Sequence, residues 1–144
     1  MEEKELKLNI ESIFNSIDGE YNGLIGAGEL TTFIRVHGCN LQCTYCDTEY
    51  AQDMNPGTIG FLTVDEIIKR YNILPKVTIT GGEPFIHPAI HPLIEKLVEM
   101  NCQVSIETNG CIRPPQKYFT DSFLRHMITF VQISNFRLVE KWSL

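Results

Sequence analysis

Strand-like and helix-like segments alternate along this chain, and the alternation limits the folds that it can adopt. The residue patterns predict strands at 8–17, 30–37, 76–80 and 103–107, and a further apolar stretch at 127–133. The helical patterns between them cover 61–73, 88–101 and 115–126. An order of this kind predicts parallel β/α units.

Two of the predicted helices have an apolar face. Thr63 and Glu66 match a capping box at the start of the first helix. Its apolar face is predicted to contain Val64, Ile67, Ile68 and Tyr71. The apolar stripe of the second helix is predicted to contain Ile90, Leu93, Ile94, Leu97 and Val98.

Polar or glycine-rich motifs follow three of the predicted strands. Cys39 comes after the predicted strand at 30–37, and "GGEP" (81–84) comes after the strand at 76–80. "ETNG" (107–110) begins at the end of the strand at 103–107. In parallel β/α folds, functional sites form at the C-terminal ends of the strands. We therefore expect the three motifs to meet at one mouth of the sheet.

The stretch "GCNLQCTYCD" (38–47) places Cys39, Cys43 and Cys46 in the spacing C-x3-C-x2-C. Clustered cysteines in a reducing compartment more often bind metal or react than form disulfides. Three thiolates in one loop suit a 4Fe-4S cluster, whose irons are held by cysteine sulfur. Three ligands leave one iron open, and an open metal position is where a substrate or cofactor can bind.

A structural zinc site is the plainer alternative for these cysteines, but such a site needs four ligands. Cys102 and Cys111 have no paired CxxC spacing, and we expect both to be packing residues. His37 is a candidate fourth ligand, although it lies on a predicted strand.

The composition predicts one globular domain over residues 1–144, with its motifs within 8–111. The net charge of −6 argues against nonspecific binding to nucleic acid. The N-terminal sequence has no apolar signal-peptide region, and no run of 18 apolar residues could cross a membrane. The expected location is the cytoplasm.

The cysteine spacing, the aromatic Tyr45 before the third cysteine, and "GGEP" after the next strand together resemble the radical S-adenosylmethionine (SAM) superfamily. The resemblance implies an incomplete TIM-like β/α barrel. It implies that SAM binds the open iron of a 4Fe-4S cluster and is cleaved reductively to a 5′-deoxyadenosyl radical. Gly81 and Gly82 would let the backbone approach the methionine part of SAM. Glu83 would accept from its ammonium group, directly or by shaping the loop.

Further stretches resemble one family, the 7-carboxy-7-deazaguanine synthases. These stretches are "IDGEYNG" (17–23), "FIRVHGCN" (33–40), "CTYCDT" (43–48), "TGGEP" (80–84) and "ETNG" (107–110). The resemblance implies ring contraction of 6-carboxy-5,6,7,8-tetrahydropterin to 7-carboxy-7-deazaguanine, with release of ammonia, in queuosine-type biosynthesis. Asp18 stands where the family has glutamine, and Tyr21 where it has glycine.

The family resemblance implies a role for each matching residue. The cluster ligands would be Cys39, Cys43 and Cys46. The residues that bind SAM would be Tyr45, Asp47, Gly81, Gly82, Glu83 and Glu107. The pterin would be held by Ile17, Asp18, Gly19, Arg35 and Thr80, with Arg35 on its carboxylate. The Thr48 hydroxyl would bind Mg²⁺, which prefers oxygen ligands.

The same resemblance implies two partners, an electron donor such as flavodoxin or ferredoxin and a second copy of the full-length chain in a homodimer. Two other functions stay open. One is a glycyl-radical enzyme activating protein, which has the same cysteine spacing and needs a macromolecular partner. The other is a noncatalytic iron–sulfur or zinc-binding module.

The segment 130–144 is an atypical tail, because it lacks the "K-x-P-S-S-G" motif with which the family continues. Ordinary codon choices for residues 132–142, read in another frame, allow "DFKLPSSGKM". We therefore expect a frameshift near 129–131 and a truncated product, with the last strands of the barrel missing or altered.

Overall fold

A computed structural model of the chain describes residues 5–19 and 27–132. Its strands are β1 (Lys7–Ile17), β2 (Leu30–Val36), β3 (Gly60–Thr63), β4 (Lys76–Gly81), β5 (Gln103–Thr108) and β6 (Ile128–Gln132). Its helices are α1 (Val64–Arg70), α2 (Ile90–Glu99), α3 (Lys117–Thr120) and α4 (Leu124–Met127). Short 3₁₀ turns cover Glu49–Ala51 and Pro84–Ile86.

The strands of the described part form one sheet in the order β3-β1-β2-β4-β5-β6. Neighbours from β2 to β6 run parallel, as the alternating pattern predicted. The helix α2 connects β4 to β5, and α3 and α4 connect β5 to β6. This arrangement is that of an incomplete β/α barrel, so the predicted fold class is confirmed.

The strand β1 departs from the predicted parallel units, because it runs antiparallel to both β2 and β3. The prediction of helix from residue 61 was also wrong. Phe61 and Leu62 form β3, in which Leu62 is the register partner of Leu8. Hydrogen bonds to β1, which is distant in sequence, outweigh the local helical pattern at these two residues. The helix therefore begins only after Thr63. The predicted capping box is present, with Thr63 Oγ1 accepting from Glu66 N at 3.1 Å.

The two faces of the sheet differ in polarity. One face packs Ile34, Ile79 and Ile106 against the predicted apolar stripe of α2, and all of these side chains belong to one buried core. Full burial of such a side chain contributes about 1.5–3 kcal/mol. Successive strand residues point to opposite faces. The opposite face therefore carries the alternating polar residues of β4 and β5, which are Thr78, Thr80, Ser105 and Glu107.

Cys102 is buried, as expected for a packing residue, but the same prediction was wrong for Cys111, which is exposed. Cys111 lies in the turn after β5, where its backbone N–H donates to Asn109 Oδ1 at 3.0 Å. Its backbone completes the turn while its side chain faces solvent.

Only the first residues of the predicted atypical tail lie in the described part, where they belong to β6. Residues 133–144 lie outside the described residues, as does Tyr21, so the frameshift and the missing strands stay predictions. Among residues 5–19 and 27–132, no helix combines the length and the apolar character needed to cross a bilayer.

Candidate active site

The C-terminal ends of β2, β4 and β5 open onto one cavity with a volume of about 720 Å³. The predicted convergence of the three strand-end motifs is therefore present. Almost all residues that the family resemblance singled out line this cavity, namely Asp18, Gly19, Arg35, Cys39, Cys43, Tyr45, Cys46, Asp47, Thr48, Thr80, Gly81, Gly82 and Glu107. Ile17 and Glu83 are the two that do not.

Backbone hydrogen bonds hold the start of the cysteine loop. Gly38 N donates to Ala51 O at 2.8 Å, and Cys39 N donates to Gln52 O at 3.1 Å. The "GGEP" segment crosses the same loop, because Glu83 N donates to Gly38 O at 2.9 Å. The loop is thus held between the 3₁₀ turn that follows it and the segment after β4.

The crossing of these two segments requires a glycine at position 82. A Cβ atom there would lie 1.9 Å from Gly38 O and 2.9 Å from Ala51 O. The resemblance implied that this glycine makes room for SAM. The structure adds a second reason, which is the close approach of the chain's own backbone.

The surroundings of the three thiols shift their acidity in different directions. Burial raises the pKa of the Cys39 thiol above its ordinary value. Burial acts in the same direction at Cys46, but hydrogen bonds from Thr48 and Gln52 outweigh it and lower the pKa of that thiol. Because the thiolate is the form that binds metal, Cys46 is the better prepared of these two thiols to act as a ligand.

The side chain of Glu83 joins the loop after β4 to the end of β5. It is only 1% exposed. Its carboxylate accepts from Phe85 N at 3.0 Å, Thr108 Oγ1 at 2.8 Å and Asn109 N at 2.7 Å. Burial raises the pKa of this carboxyl, and the three donors act against that rise. Since Glu83 does not line the cavity, its place corresponds to the loop-shaping alternative.

Arg35 lies close to two aromatic rings. Its Cζ is 5.9 Å from the centroid of the Phe14 ring and 6.0 Å from that of Tyr50, and its Nη1 donates to the Tyr50 hydroxyl. Its buried Nε has no hydrogen-bond partner within the described residues. Phe14 in turn stacks on Phe33, with centroids 5.3 Å apart. The sequence did not single out Phe14 or Tyr50, and only the pairing of Phe14 with Phe33 across β1 and β2 could have indicated the first.

Two of the remaining predicted substrate residues are Asp18, which follows β1, and Thr80, which lies in β4. Asp18 is 1% exposed, and its Oδ2 accepts from Thr78 Oγ1 at 3.0 Å. The Thr80 hydroxyl donates to the carboxylate of Glu107 on β5. Ile17, by contrast, is 65% exposed and does not line the cavity.

The charges around the cavity are unevenly distributed. Among its described lining residues, Arg35 carries the one positive charge, whereas Asp18, Asp47 and Glu107 carry carboxylates. Opposite charges at short range attract strongly where water is partly excluded. The cavity can therefore receive an anionic group at Arg35 and a cationic group near the carboxylates.

The sequence profile of the Radical SAM superfamily matches residues 33–120, which is more than half of the chain and includes all three cysteines. The chain belongs to the radical SAM superfamily. The superfamily match covers β2 to α3 and therefore the three strand ends that form the cavity.

This radical SAM chain is similar to several 7-carboxy-7-deazaguanine synthases. It is 41% identical over 108 residues to that of Chlorobaculum tepidum, which covers 74% of this chain and 46% of the relative. It is 35% identical over 141 residues to that of Clostridium acetobutylicum, with 89% and 62% covered. The solved structure of QueE from Escherichia coli superposes with a TM-score of 0.58 at 25% identity, over 72% of this chain and 53% of that one. The chain spans about half the length of most of these relatives.

Radical SAM proteins hold a 4Fe-4S cluster and SAM, and the donor set fits such a cluster. All three free thiols of the loop face the same cavity. Within 5–19 and 27–132, no three His, Cys, Asp or Glu side chains are gathered closely enough to hold a single ion.

Proposed function

We propose that this chain carries the radical SAM domain of a 7-carboxy-7-deazaguanine synthase. Its reaction would convert 6-carboxy-5,6,7,8-tetrahydropterin to 7-carboxy-7-deazaguanine with loss of ammonia. The observation that carries the proposal is the single cavity, because the cysteine loop and the residues implied for SAM and for the pterin line the same space. The similarity to synthases of this name supports it.

The cysteines would hold the cluster, and the carboxylates would orient SAM beside it. When bound, the cluster and SAM together supply one electron and a carbon radical that removes a hydrogen atom from the substrate. The chain positions these groups and excludes water from them. Asp47 and Glu107 suit the ammonium group of SAM by charge, and Tyr45 offers a ring at the cavity wall.

Arg35 would bind the carboxylate of the pterin. A guanidinium group matches a carboxylate with two parallel hydrogen bonds. Its Nε is buried without a partner among the described residues, and leaving such a donor unpaired costs about 1–3 kcal/mol. The rings of Phe14 and Tyr50 both lie within about 6 Å of the guanidinium carbon, and the Tyr50 hydroxyl accepts a hydrogen bond from Nη1. The group is therefore held in place before a carboxylate arrives.

Cavity residues on β4 and just after β1 would form hydrogen bonds with the pterin ring. Asp18 and Gly19 lie at the end of β1, and Thr80 lies on the cavity face of β4. An ionised Asp18 can only accept hydrogen bonds, whereas the glutamine of the family both donates and accepts. We therefore propose that Asp18 contacts N–H groups of the ring, which carries several.

Thr48 would supply an oxygen ligand for Mg²⁺. Its hydroxyl donates to Gly81 O at 3.3 Å and lies 3.4 Å from Cys46 Sγ, so it stands between the cysteine loop and the end of β4. Mg²⁺ prefers a few protein oxygens together with water and substrate oxygens. Asp47, its neighbour on the cavity wall, offers a further oxygen.

One of the proposed partners follows from the same reaction. A reduced cluster needs an electron donor, such as a flavodoxin or a ferredoxin. The family resemblance, and not the reaction, is the ground for proposing a homodimer of the full-length chain. The net charge of −6 supports a small-molecule substrate and not a nucleic acid. The cytoplasm, where thiols stay reduced, is the proposed location.

The test is turnover by the anaerobically reconstituted chain. The protein is incubated with SAM, Mg²⁺, dithionite and 6-carboxytetrahydropterin, and mass spectrometry follows the products. Formation of 7-carboxy-7-deazaguanine, with 5′-deoxyadenosine, is the expected result. The Cys43→Ala variant is the matched control, since it lacks one cluster ligand and should form neither product.

Two results would contradict the proposal. Cleavage of SAM with the pterin left intact would point to another substrate, such as a glycyl-radical enzyme. Stoichiometric zinc and no iron in anaerobically prepared protein would point to a zinc module.

A further inference from the structure

The side chain of Asn109 links the end of β5 to the cysteine loop. Its backbone N–H is fixed by Glu83 Oε2 at 2.7 Å. Its Nδ2 donates to Asn40 Oδ1 at 2.8 Å and lies 3.9 Å from Cys39 Sγ. A cavity-lining residue with no role assigned so far therefore contacts a cluster ligand directly.

The hydrogen bonds around Asn109 settle which end of its amide faces the sulfur. The backbone N–H of Cys111 donates to Asn109 Oδ1 at 3.0 Å. Because a backbone N–H can only donate, the oxygen of the amide must face Cys111. The NH₂ end then faces Asn40 and Cys39, and it has two hydrogens, one for each.

A cluster-bound sulfur of Cys39 can only accept hydrogen bonds. The structure provides two N–H groups near it, the amide of Asn109 and the backbone N–H of Leu41 at 3.4 Å. Hydrogen bonds to the sulfurs are one of the factors that set the reduction potential of an iron–sulfur cluster. A donor favours the reduced cluster, because that state carries more negative charge on its sulfurs.

We propose that Asn109 is a positioning residue that raises the reduction potential of the cluster through an amide N–H donated to Cys39 Sγ. The inference rests on the cluster-binding part of the proposed function and not on the pterin reaction. Glu83 helps to hold Asn109 in this position, because its buried carboxylate accepts from the backbone N–H of Asn109.

The test is a redox titration of the reconstituted full chain, followed by the electron paramagnetic resonance signal of the reduced cluster, without pterin. Asn109→Leu keeps the size of the side chain and removes the donor. Its midpoint potential should be more negative than that of the wild type, at an equal content of iron and sulfide. A merely structural role would change cluster content and not the potential.

Two further variants keep the test decisive. Asn109→Asp keeps an oxygen for Cys111 N–H and places a negative charge near the sulfur, so its potential should also fall. Thr108→Val removes a hydrogen bond to Glu83 but keeps the amide of Asn109, so its potential should shift less than that of either Asn109 variant.

Three outcomes would overturn the inference. The first is an unchanged potential in both Asn109 variants. The second is loss of the cluster from both of them while the wild type keeps it, because Asn109 would then only hold the loop. The third is failure of the wild type to take up a cluster. Absence of pterin turnover would contradict the proposed function and leave this measurement intact.

Discussion

Replacing Gly82 by alanine should destabilise the chain more than any ordinary surface change. The added Cβ would lie 1.9 Å from Gly38 O and 2.5 Å from Gly38 C, and both are backbone atoms that cannot rotate away. The two segments must therefore separate. Their separation weakens the hydrogen bonds from Gly82 N to Val36 O and from Glu83 N to Gly38 O, each 2.9 Å long.

The size of the loss follows from these contacts. Overpacking in a tight site costs about 1–3 kcal/mol. Each weakened hydrogen bond contributes about 1 kcal/mol. The sum is about 4 kcal/mol, a large part of the roughly 5–15 kcal/mol by which a domain is stable. With a urea m-value of about 2 kcal/mol per molar, the unfolding midpoint should fall by about 2 M.

Urea unfolding of the reduced chain, followed by circular dichroism, measures this shift. Gly19→Ala is the matched control, since a Cβ there meets nothing within 4 Å and the backbone needs no positive φ. A compatible Gly→Ala change alters stability by no more than about 1 kcal/mol and tends to raise it. Equal midpoints for Gly82→Ala and the wild type would show that the two segments are not in contact.

Three other changes test the cluster, the substrate site and the buried carboxylate. Cys43→Ala should leave anaerobically prepared protein without its cluster, because one sulfur ligand is lost, and a full iron content would refute the assignment. Arg35→Ala should weaken carboxypterin binding by roughly 1.5–3 kcal/mol, the range for a hydrogen bond to a charged group, while SAM cleavage without substrate persists. Calorimetry checks this, and an unchanged affinity would exclude the role. Glu83→Gln should lower the free energy of unfolding by about 1–3 kcal/mol, because an amide cannot accept from all three donors that reach it. A urea midpoint equal to that of the wild type would count against this reading.

The meeting of the three motifs could be predicted because it depends on local patterns and one general rule. The apolar periods placed the strands, and parallel strands bring their C-terminal ends to the same edge of a sheet. The capping box at Thr63 and the apolar stripe of α2 are likewise local, and both are present in the structure. Cys39, Gly82 and Glu107 then lie at one cavity without further assumptions.

The strand β3 could not be predicted, because its cause lies elsewhere in the chain. The capping box at Thr63 marks the start of the helix, but nothing local shows that Phe61 and Leu62 before it form a strand. They become a strand because the backbone of β1 is available beside them. The antiparallel direction of β1 has the same kind of cause, since no pattern within one strand states its direction relative to a neighbour.

Some contacts within the site could not be predicted from the motifs either. Tyr50 lies near Arg35 only because the 3₁₀ turn at Glu49–Ala51 returns over the end of β2. Asn109 belongs to a motif that was recognised, but its contact with Cys39 joins residues far apart in sequence. A family resemblance can identify a residue such as Asn109, but the residues that it contacts depend on how the chain folds.

The route of the chain between β2 and β4 sets the order in which the cysteine loop can be built. The chain leaves β2, forms the loop, crosses to the edge of the sheet as β3, and returns through α1 to pair β4 with β2. The loop is also held by the segment after β4, because Glu83 N donates to Gly38 O, so we expect it to reach its final shape only after β2 and β4 have paired. Pairing of this kind is slow, on the order of milliseconds to seconds. We expect iron uptake to be a late step in the maturation of the chain. Stopped-flow refolding should show the sheet forming before the thiols bind iron, and uptake in the earliest phase would contradict this order.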